Sequence, residues 1–168
     1  TIGIPGEFQV LNATLAVDTL KFLGVSDESI RYGIRNAKNP GRFELINESL
    51  LTIIDGAHNL NAFKALKSTL DRYFPDRKKT FILAFMREKE VEKILKELSG
   101  NEFYFTTVQS NPRALSPEEL FEIAKGLGIK GAPFETLQSA YAAARETGDL
   151  IIICGSLYLY SEAKELKL

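Results

Sequence analysis

Two stretches, Thr80–Phe85 and Leu150–Cys154, are apolar almost without a break and too short to be buried helices. A strand reads that way when both of its faces are covered, which is the habit of a parallel sheet with helices above and below. The neighbouring segments agree. Asn59–Phe74 sets Phe63, Leu66, Leu70 and Phe74 on one helical face, and Glu88–Leu98 turns Val91, Ile94, Leu95 and Leu98 inward. Ser116-Pro117-Glu118-Glu119 has the form of a helix start, with a capping serine, proline at the first helical position and glutamate three residues after the cap. That helix is expected to run to about Gly126. Glu102–Val108 reads as another strand, Gly131–Phe134 as a short edge strand, Thr136–Thr147 as an alanine-rich helix and Leu157–Leu168 as the last helix. Strands and helices alternating at this length describe an α/β domain: a mostly parallel sheet with helices on both faces.

The chain before this pattern is different. Phe8–Leu23 carries Leu11, Leu15, Thr19 and Phe22, with Ala13, Ala16, Val17 and Leu20 beside them, a broad apolar helix closed by Gly24. Asp27–Ala37 follows with Ile30, Ile34 and Ala37 in helical register behind the capping Ser26. Asn39-Pro40-Gly41 breaks the chain. Arg42–Ile46 and Leu50–Asp55 then form a hairpin about Asn47-Glu48.

Composition narrows the function classes. The 168 residues are 45% hydrophobic and 26% charged, enough for a real core in one domain with an appendage. Lys+Arg total 21 against Asp+Glu 22, and that balance argues against a dedicated nucleic-acid binder. The single cysteine, Cys154, lies in an apolar strand, which points to a buried apolar role and a reducing, cytoplasmic compartment. No run is long and apolar enough for a membrane span, and no G-x-S-x-G elbow, paired zinc ligands or G-x-x-x-x-G-K-[ST] phosphate loop occurs. Phosphoryl transfer is beyond these residues alone.

In an open α/β sheet, ligands gather where strands end and helices begin. That rule selects Asp55-Gly56-Ala57-His58-Asn59, Met86–Lys89, Gln109–Arg113 and Gly155-Ser156-Leu157-Tyr158. The first joins a carboxylate, a flexible glycine, the only histidine and a polar cap. Asp55 suits a ribose or an ammonium group, and His58 a phosphate or carboxylate favoured by the helix dipole. The same residues also serve as ordinary turn and cap residues, and Ser156 as a plain serine cap.

Taken in order, Pro40-Gly41-Arg42-Phe43-Glu44, Ile54-Asp55-Gly56-Ala57-His58-Asn59 and Gly155-Ser156-Leu157-Tyr158-Leu159 resemble the C-terminal domain of folylpolyglutamate synthase/dihydrofolate synthase, of the Mur-ligase superfamily. Gly6-Glu7-Phe8-Gln9-Val10-Leu11-Asn12-Ala13 resembles the G-x-H-Q-x-x-N-A segment that opens the last helix of that family's central ATPase domain. The resemblance implies a Rossmann-like domain over residues 40–168, preceded by the terminal helices and linker of the ATPase domain over residues 1–39. It implies one part of a longer enzyme, which Thr1 in place of an initiator methionine matches. In that family ATP phosphorylates the carboxylate of a pteroate or folate, and the amine of glutamate attacks the acyl phosphate. The partners are therefore small molecules (dihydropteroate or folate, glutamate, ATP), with neither nucleic acid nor membrane, and the whole enzyme is expected to be monomeric.

By this resemblance Arg42 reaches the ATP phosphates as a catalytic cation, Asn12 lies near the adenine and Asp55 near the ribose. His58 is a second catalytic candidate. It and Ser156 lie near the γ-phosphate or the incoming glutamate, with Tyr158 a further candidate. Magnesium ligands belong to the central domain. The chain departs from the family at Phe8, where histidine is usual, and at Met86, where glycine is usual; the latter leaves Lys89 in Arg87-Glu88-Lys89-Glu90 either a ligand contact or a solvated lysine. Two other readings remain: a peptidoglycan-type Mur ligase with a different acceptor, and a non-catalytic module that holds a nucleotide or carboxylate at the Asp55–Asn59 turn.

Overall fold

The computed structural model describes residues 2–109, 111–147 and 149–166. Helices α1 (Glu7–Phe22) and α2 (Asp27–Asn36) come first. Strands β1 (Glu44–Asn47) and β2 (Thr52–Ile54) make the hairpin, followed by α3 (Leu60–Tyr73), β3 (Lys79–Leu83), α4 (Val91–Glu97) and β4 (Glu102–Phe105). Then come α5 (Pro117–Gly126), β5 (Ala132–Pro133), α6 (Leu137–Thr147), β6 (Leu150–Cys154) and α7 (Leu159–Lys164).

The six strands lie in the order β1-β2-β6-β3-β4-β5. Only the β1–β2 pair is antiparallel; β2–β6, β6–β3, β3–β4 and β4–β5 are parallel. The α/β class, the parallel sheet and the hairpin are those expected from the sequence. Strand alternation divides the core in two. Phe81 and Leu83 of β3, with Leu150, Ile152 and Cys154 of β6, pack under Phe63, Leu66 and Leu70 of α3, Ile94 and Leu95 of α4, and Leu120 of α5. Ile82 of β3, with Ile151 and Ile153 of β6, faces Ala140, Tyr141 and Ala144 of α6 and Leu159 and Ala163 of α7. All five residues of β6 are buried. A strand covered on both faces has no solvent side to mark with polar residues, hence its unbroken apolar run.

Element starts follow local chemistry. Ser26 and Asn59 accept from the backbone N–H of Ser29 and Ala62, and Ser116 with Glu119 forms the expected capping box. Several boundaries differ from expectation; β4, for one, ends at Phe105 rather than Val108. The hairpin strand begins at Glu44, because Gly41 (φ 70°) and Phe43 (φ 47°) are in left-handed conformations that turn the chain rather than extend it. Helix α4 begins at Val91, since Met86–Glu90 is spent on a turn in which Lys89 N–H donates to the Met86 carbonyl at 3.1 Å. Helix α7 starts at Leu159 and its assigned end is Lys164; residues 167 and 168, and Ser110 in the Gln109–Arg113 loop, lie outside the described residues.

The first helix also departs from its pattern. Its apolar residues are spread around the circumference, and the row through Leu11, Leu15 and Phe22 is solvent-exposed, while Ala13, Ala16, Val17 and Leu20 are half-buried. Arg72 of α3 donates to Glu7 at 2.8 Å, tying the start of α1 to the sheet domain. No helix among the described residues is long and apolar enough to cross a membrane.

Candidate active site

Strands β2 and β6 are parallel neighbours, so their carboxyl ends open side by side. The backbone knits the two loops together: Asp55 N–H donates to the Ile153 carbonyl at 3.0 Å, and Gly155 N–H to the Ala57 carbonyl at 2.8 Å. Gly155 (φ 98°) has to be glycine, because a Cβ there would stand 2.3 Å from the Ala84 carbonyl oxygen.

Asp55 is only 7% exposed, and both carboxylate oxygens are engaged. Oδ2 accepts from Phe43 N–H and Oδ1 from Ala57 N–H, each at 2.8 Å. The side chain thus fastens the Arg42–Phe43 turn to the loop that carries His58. Burial raises its pKa above the ordinary carboxylate value; the two N–H groups and the Arg42 charge oppose that shift without cancelling it. Phe43 holds a positive φ at the point where Asp55 grips its N–H, an observed outlier next to the crevice.

Gly56 donates to the Gly41 carbonyl at 2.7 Å, and a Cβ on it would lie 2.9 Å from Arg42 Nη1 and 2.5 Å from Leu157 Cδ2. The half-buried Arg42 guanidinium therefore lies across Gly56, with Leu157 from the β6 loop pressed on the same spot. His58 Nδ1 is 2.8 Å from the Gly56 carbonyl. A carbonyl oxygen only accepts, so Nδ1 carries a proton and Nε2 is left to accept from a ligand, or to donate to one when the ring is protonated. Asn59 caps α3, whose unpaired N–H groups and positive dipole end lie at the same place.

Ser156 is 6% exposed; its Oγ accepts from Tyr158 N–H at 3.3 Å and its carbonyl from Leu159 N–H at 3.2 Å. It is thus a turn residue in the crevice, with a hydroxyl proton still to give. Tyr158 is largely exposed at the rim. The structure therefore brings the loops that carry Arg42, Asp55, His58 and Ser156 together at the carboxyl ends of β2 and β6. Asn12 stands apart on α1, where its side chain donates to Gln9 at 3.0 Å. Its helix nevertheless reaches the site through Phe8, which lines a cavity of about 90 Å³ with Arg42, Phe43, Asp55, Leu66 and Thr69.

Lys89 belongs to a second group of loops. Arg87 N–H donates to the Arg113 carbonyl at 2.9 Å, and the Arg87 guanidinium pairs with Glu119 at 2.6 Å. Among the described residues no hydrogen bond links Lys89 to the Arg42 crevice. Cys154 is fully buried, and burial with the neighbouring Asp55 charge pushes its thiol pKa well up, as an inert core cysteine requires.

One participant went unassigned in the sequence. Glu44 Oε2 accepts from Gly41 N–H at 2.8 Å, and Glu44 Oε1 accepts from Lys164 Nζ at 2.7 Å. Its place in the Pro40–Glu44 motif was the available signal, but the lysine partner comes from α7 and is invisible in sequence.

The profile of the family described as Mur ligase, glutamate ligase domain, matches residues 41–157. The dihydrofolate synthase/folylpolyglutamate synthase of Escherichia coli is 28% identical over 92% of this chain and 37% of its own length. A probable bifunctional folylpolyglutamate synthase/dihydropteroate synthase of Haloferax volcanii is 30% identical over 97% of this chain but 20% of its own length. Among solved structures, folylpolyglutamate synthase of Mycobacterium tuberculosis, complexed with ADP and AMPPCP, superposes with a TM-score of 0.88 at 27% identity, covering 98% of this chain and 41% of that one. The Thermotoga maritima enzyme gives a TM-score of 0.81 at 30% identity, covering 98% of this chain and 39% of that one. The chain thus spans less than half the length of these relatives. With the Arg42, Asp55–Asn59 and Gly155–Tyr158 loops joined at one end of the sheet and residues 41–157 matched by the family profile, this chain belongs to the Mur ligase family through that family's glutamate ligase domain.

Proposed function

We propose that this chain is the C-terminal domain of an ATP-dependent ligase that joins glutamate to dihydropteroate or a folate through an acyl phosphate. The observation that carries the reading is the Arg42 guanidinium lying across Gly56, where the ends of β2 and β6 meet the N-terminus of α3. A permanent planar cation beside a helix N-terminus suits phosphate charge that develops during transfer. Arg42 is the catalytic cation in this reading. Asn12 lies toward the adenine and Asp55 toward the ribose, Asp55 also holding the two loops in register. His58 is the second catalytic group, through Nε2; with Ser156 and Tyr158 it serves the γ-phosphate or the incoming glutamate.

Two solved neighbours fit this assignment, the M. tuberculosis enzyme with ADP and AMPPCP and a bifunctional folylpolyglutamate synthase/dihydrofolate synthase described with Mn, AMPPNP and L-glutamate bound. Magnesium would be held in the central ATPase domain. Residues 1–39 would be the end of that domain, a division supported by the exposure of Leu11 (74%), Leu15 (70%) and Phe22 (90%), which leaves an apolar surface for the rest of it to cover. The enzyme would be cytoplasmic, in keeping with its one buried thiol, and monomeric.

The test is glutamate-dependent ADP release by the complete enzyme, with dihydropteroate and tetrahydrofolate offered separately. Arg42→Ala is expected to lower kcat by about 10²-fold or more, the scale of losing a cation that acts on transition-state charge. Unchanged turnover would remove Arg42 from the chemistry. A second reading has specific support, since the UDP-N-acetylmuramoyl-L-alanyl-D-glutamate–2,6-diaminopimelate ligase of Caldanaerobacter subterraneus is 28% identical over 92% of this chain. Turnover only with a UDP-linked peptide acceptor would favour it; ATP binding without turnover on any acceptor would favour a binding module.

A further inference from the structure

We propose that Glu44 and Lys164 form a positioning clamp through which the C-terminal helix α7 sets the Arg42 turn. The proposal rests on Arg42 acting in the ligase reaction and extends that reading to residues that touch no substrate. Glu44 divides its carboxylate between two jobs. Oε2 holds Gly41 N–H at 2.8 Å, immediately before Arg42, while Oε1 takes Lys164 Nζ at 2.7 Å with Tyr160 Oη 3.5 Å away. Lys164 also sits 5.6 Å from the centre of the Tyr160 ring.

The same helix and its approach press on the turn from the other side. A Cβ on Gly41 would meet Tyr160 Cδ2 at 3.2 Å and Leu157 Cδ2 at 3.3 Å. Leu157 is also the residue wedged at Gly56 beside the Arg42 guanidinium. The turn is thus gripped by an ion pair at Glu44, by packing at Gly41 and by Asp55 at Phe43 N–H. Two of its residues, Gly41 and Phe43, hold positive φ angles, so the turn needs an external grip to keep one conformation. Burial works to raise the Glu44 pKa, but the Lys164 and Gly41 hydrogen bonds, with the Lys164 charge and Tyr160, together outweigh it and leave the carboxyl lowered. The carboxylate presents a separate acceptor oxygen to each donor, and a carboxamide would turn its NH₂ toward one of them.

The test has two arms. In the complete enzyme, Lys164→Met and Glu44→Gln are each expected to speed hydrogen exchange at Gly41 N–H by about 10-fold through local opening, and Lys164→Arg to restore it. Lys78→Met serves as control: it breaks a comparable pair with Glu102, at 3.0 Å, at the amino end of the sheet, and should leave Gly41 unchanged. In the complete enzyme, Lys164→Met is expected to lower kcat by about 10-fold with little change in KM for ATP, a modest misplacement of a catalytic group, with recovery in Lys164→Arg. Wild-type exchange at Gly41 in Lys164→Met and Glu44→Gln would overturn the clamp. So would faster exchange with unchanged kcat, provided Arg42→Ala is itself impaired. If Arg42→Ala turns over normally, the catalytic reading of Arg42 is what fails, and the exchange arm alone decides whether the clamp exists.

Discussion

Helix α1 and strand β6 are both apolar segments, and they end in opposite environments. All five residues of β6 are buried, whereas the one buried residue of α1 is the polar Gln9. Strand β6 lies at the middle of the sheet, between β2 and β3, with α3, α4 and α5 over one face and α6 and α7 over the other. Helix α1 packs mainly on α2 and the side of α3, with Phe8 reaching the Arg42 turn, so most of its surface has nothing to pack against. Apolar content says that a segment gains by being covered; topology says whether anything in the chain is there to cover it.

The contrast is tested first by side-chain truncation. Phe81→Ala, in the buried core beside β6, is expected to cost about 3–5 kcal/mol in urea denaturation, by lost transfer energy and a residual cavity. Leu15→Ala on α1 should stay within about 0.5 kcal/mol, as exposed sites do. Equal losses would mean that α1 is covered in solution.

Backbone space gives a second, smaller difference. Gly155 and Gly24 both have positive φ, at 98° and 76°. Alanine at Gly24 would meet nothing within 4 Å, so Gly24→Ala should cost about 1 kcal/mol, from conformation alone. Gly155→Ala adds a methyl 2.3 Å from a backbone oxygen and should exceed the roughly 1–3 kcal/mol of a single strained residue. Similar melting shifts for the two would show that the β2–β6 loops yield as readily as the α1–α2 link.

A further effect concerns polar order among the loops at the strand ends. Asp55→Asn sets an amide NH₂ against a backbone N–H of Phe43 or Ala57 and should cost about 1–3 kcal/mol. Because the folded-state pKa of Asp55 is raised, its contribution is complete below the ordinary carboxylate range and declines as pH rises through the raised value. The penalty for Asn should therefore be larger near about pH 4 than near about pH 7. A penalty that grows with pH would reverse the assigned cause. Glu44, with a lowered pKa, has the opposite sign: its contribution is present above the ordinary value and fades as pH falls through the lowered one.

Much of the site could be read from residues because it is built from local signals. Asp55-Gly56-Ala57-His58-Asn59 combines a strand end, a glycine required by close approach and a helix cap, and each leaves a mark within a few residues. The motif around Arg42 was visible too, although its strand was placed two residues early, since a positive φ at Phe43 has no reliable sequence signature. The engagement of both Asp55 oxygens by backbone N–H groups was not legible, nor was the Glu44–Lys164 pair, whose members are 120 residues apart. Such contacts depend on which loops the sheet order brings together.

The division is physical. Periodicity, turn chemistry and capping act over one to four neighbours, so the residues alone established the α/β class, the buried strands and the loops that lie at the strand ends. Strand order acts over the whole chain. Placing β6 between β2 and β3 is what set Gly155 against Ala57, Leu157 against Gly56 and Lys164 against Glu44. It also left the outer row of α1 facing water, because whether an apolar face is covered depends on the partners within reach, and those are a property of the assembled fold.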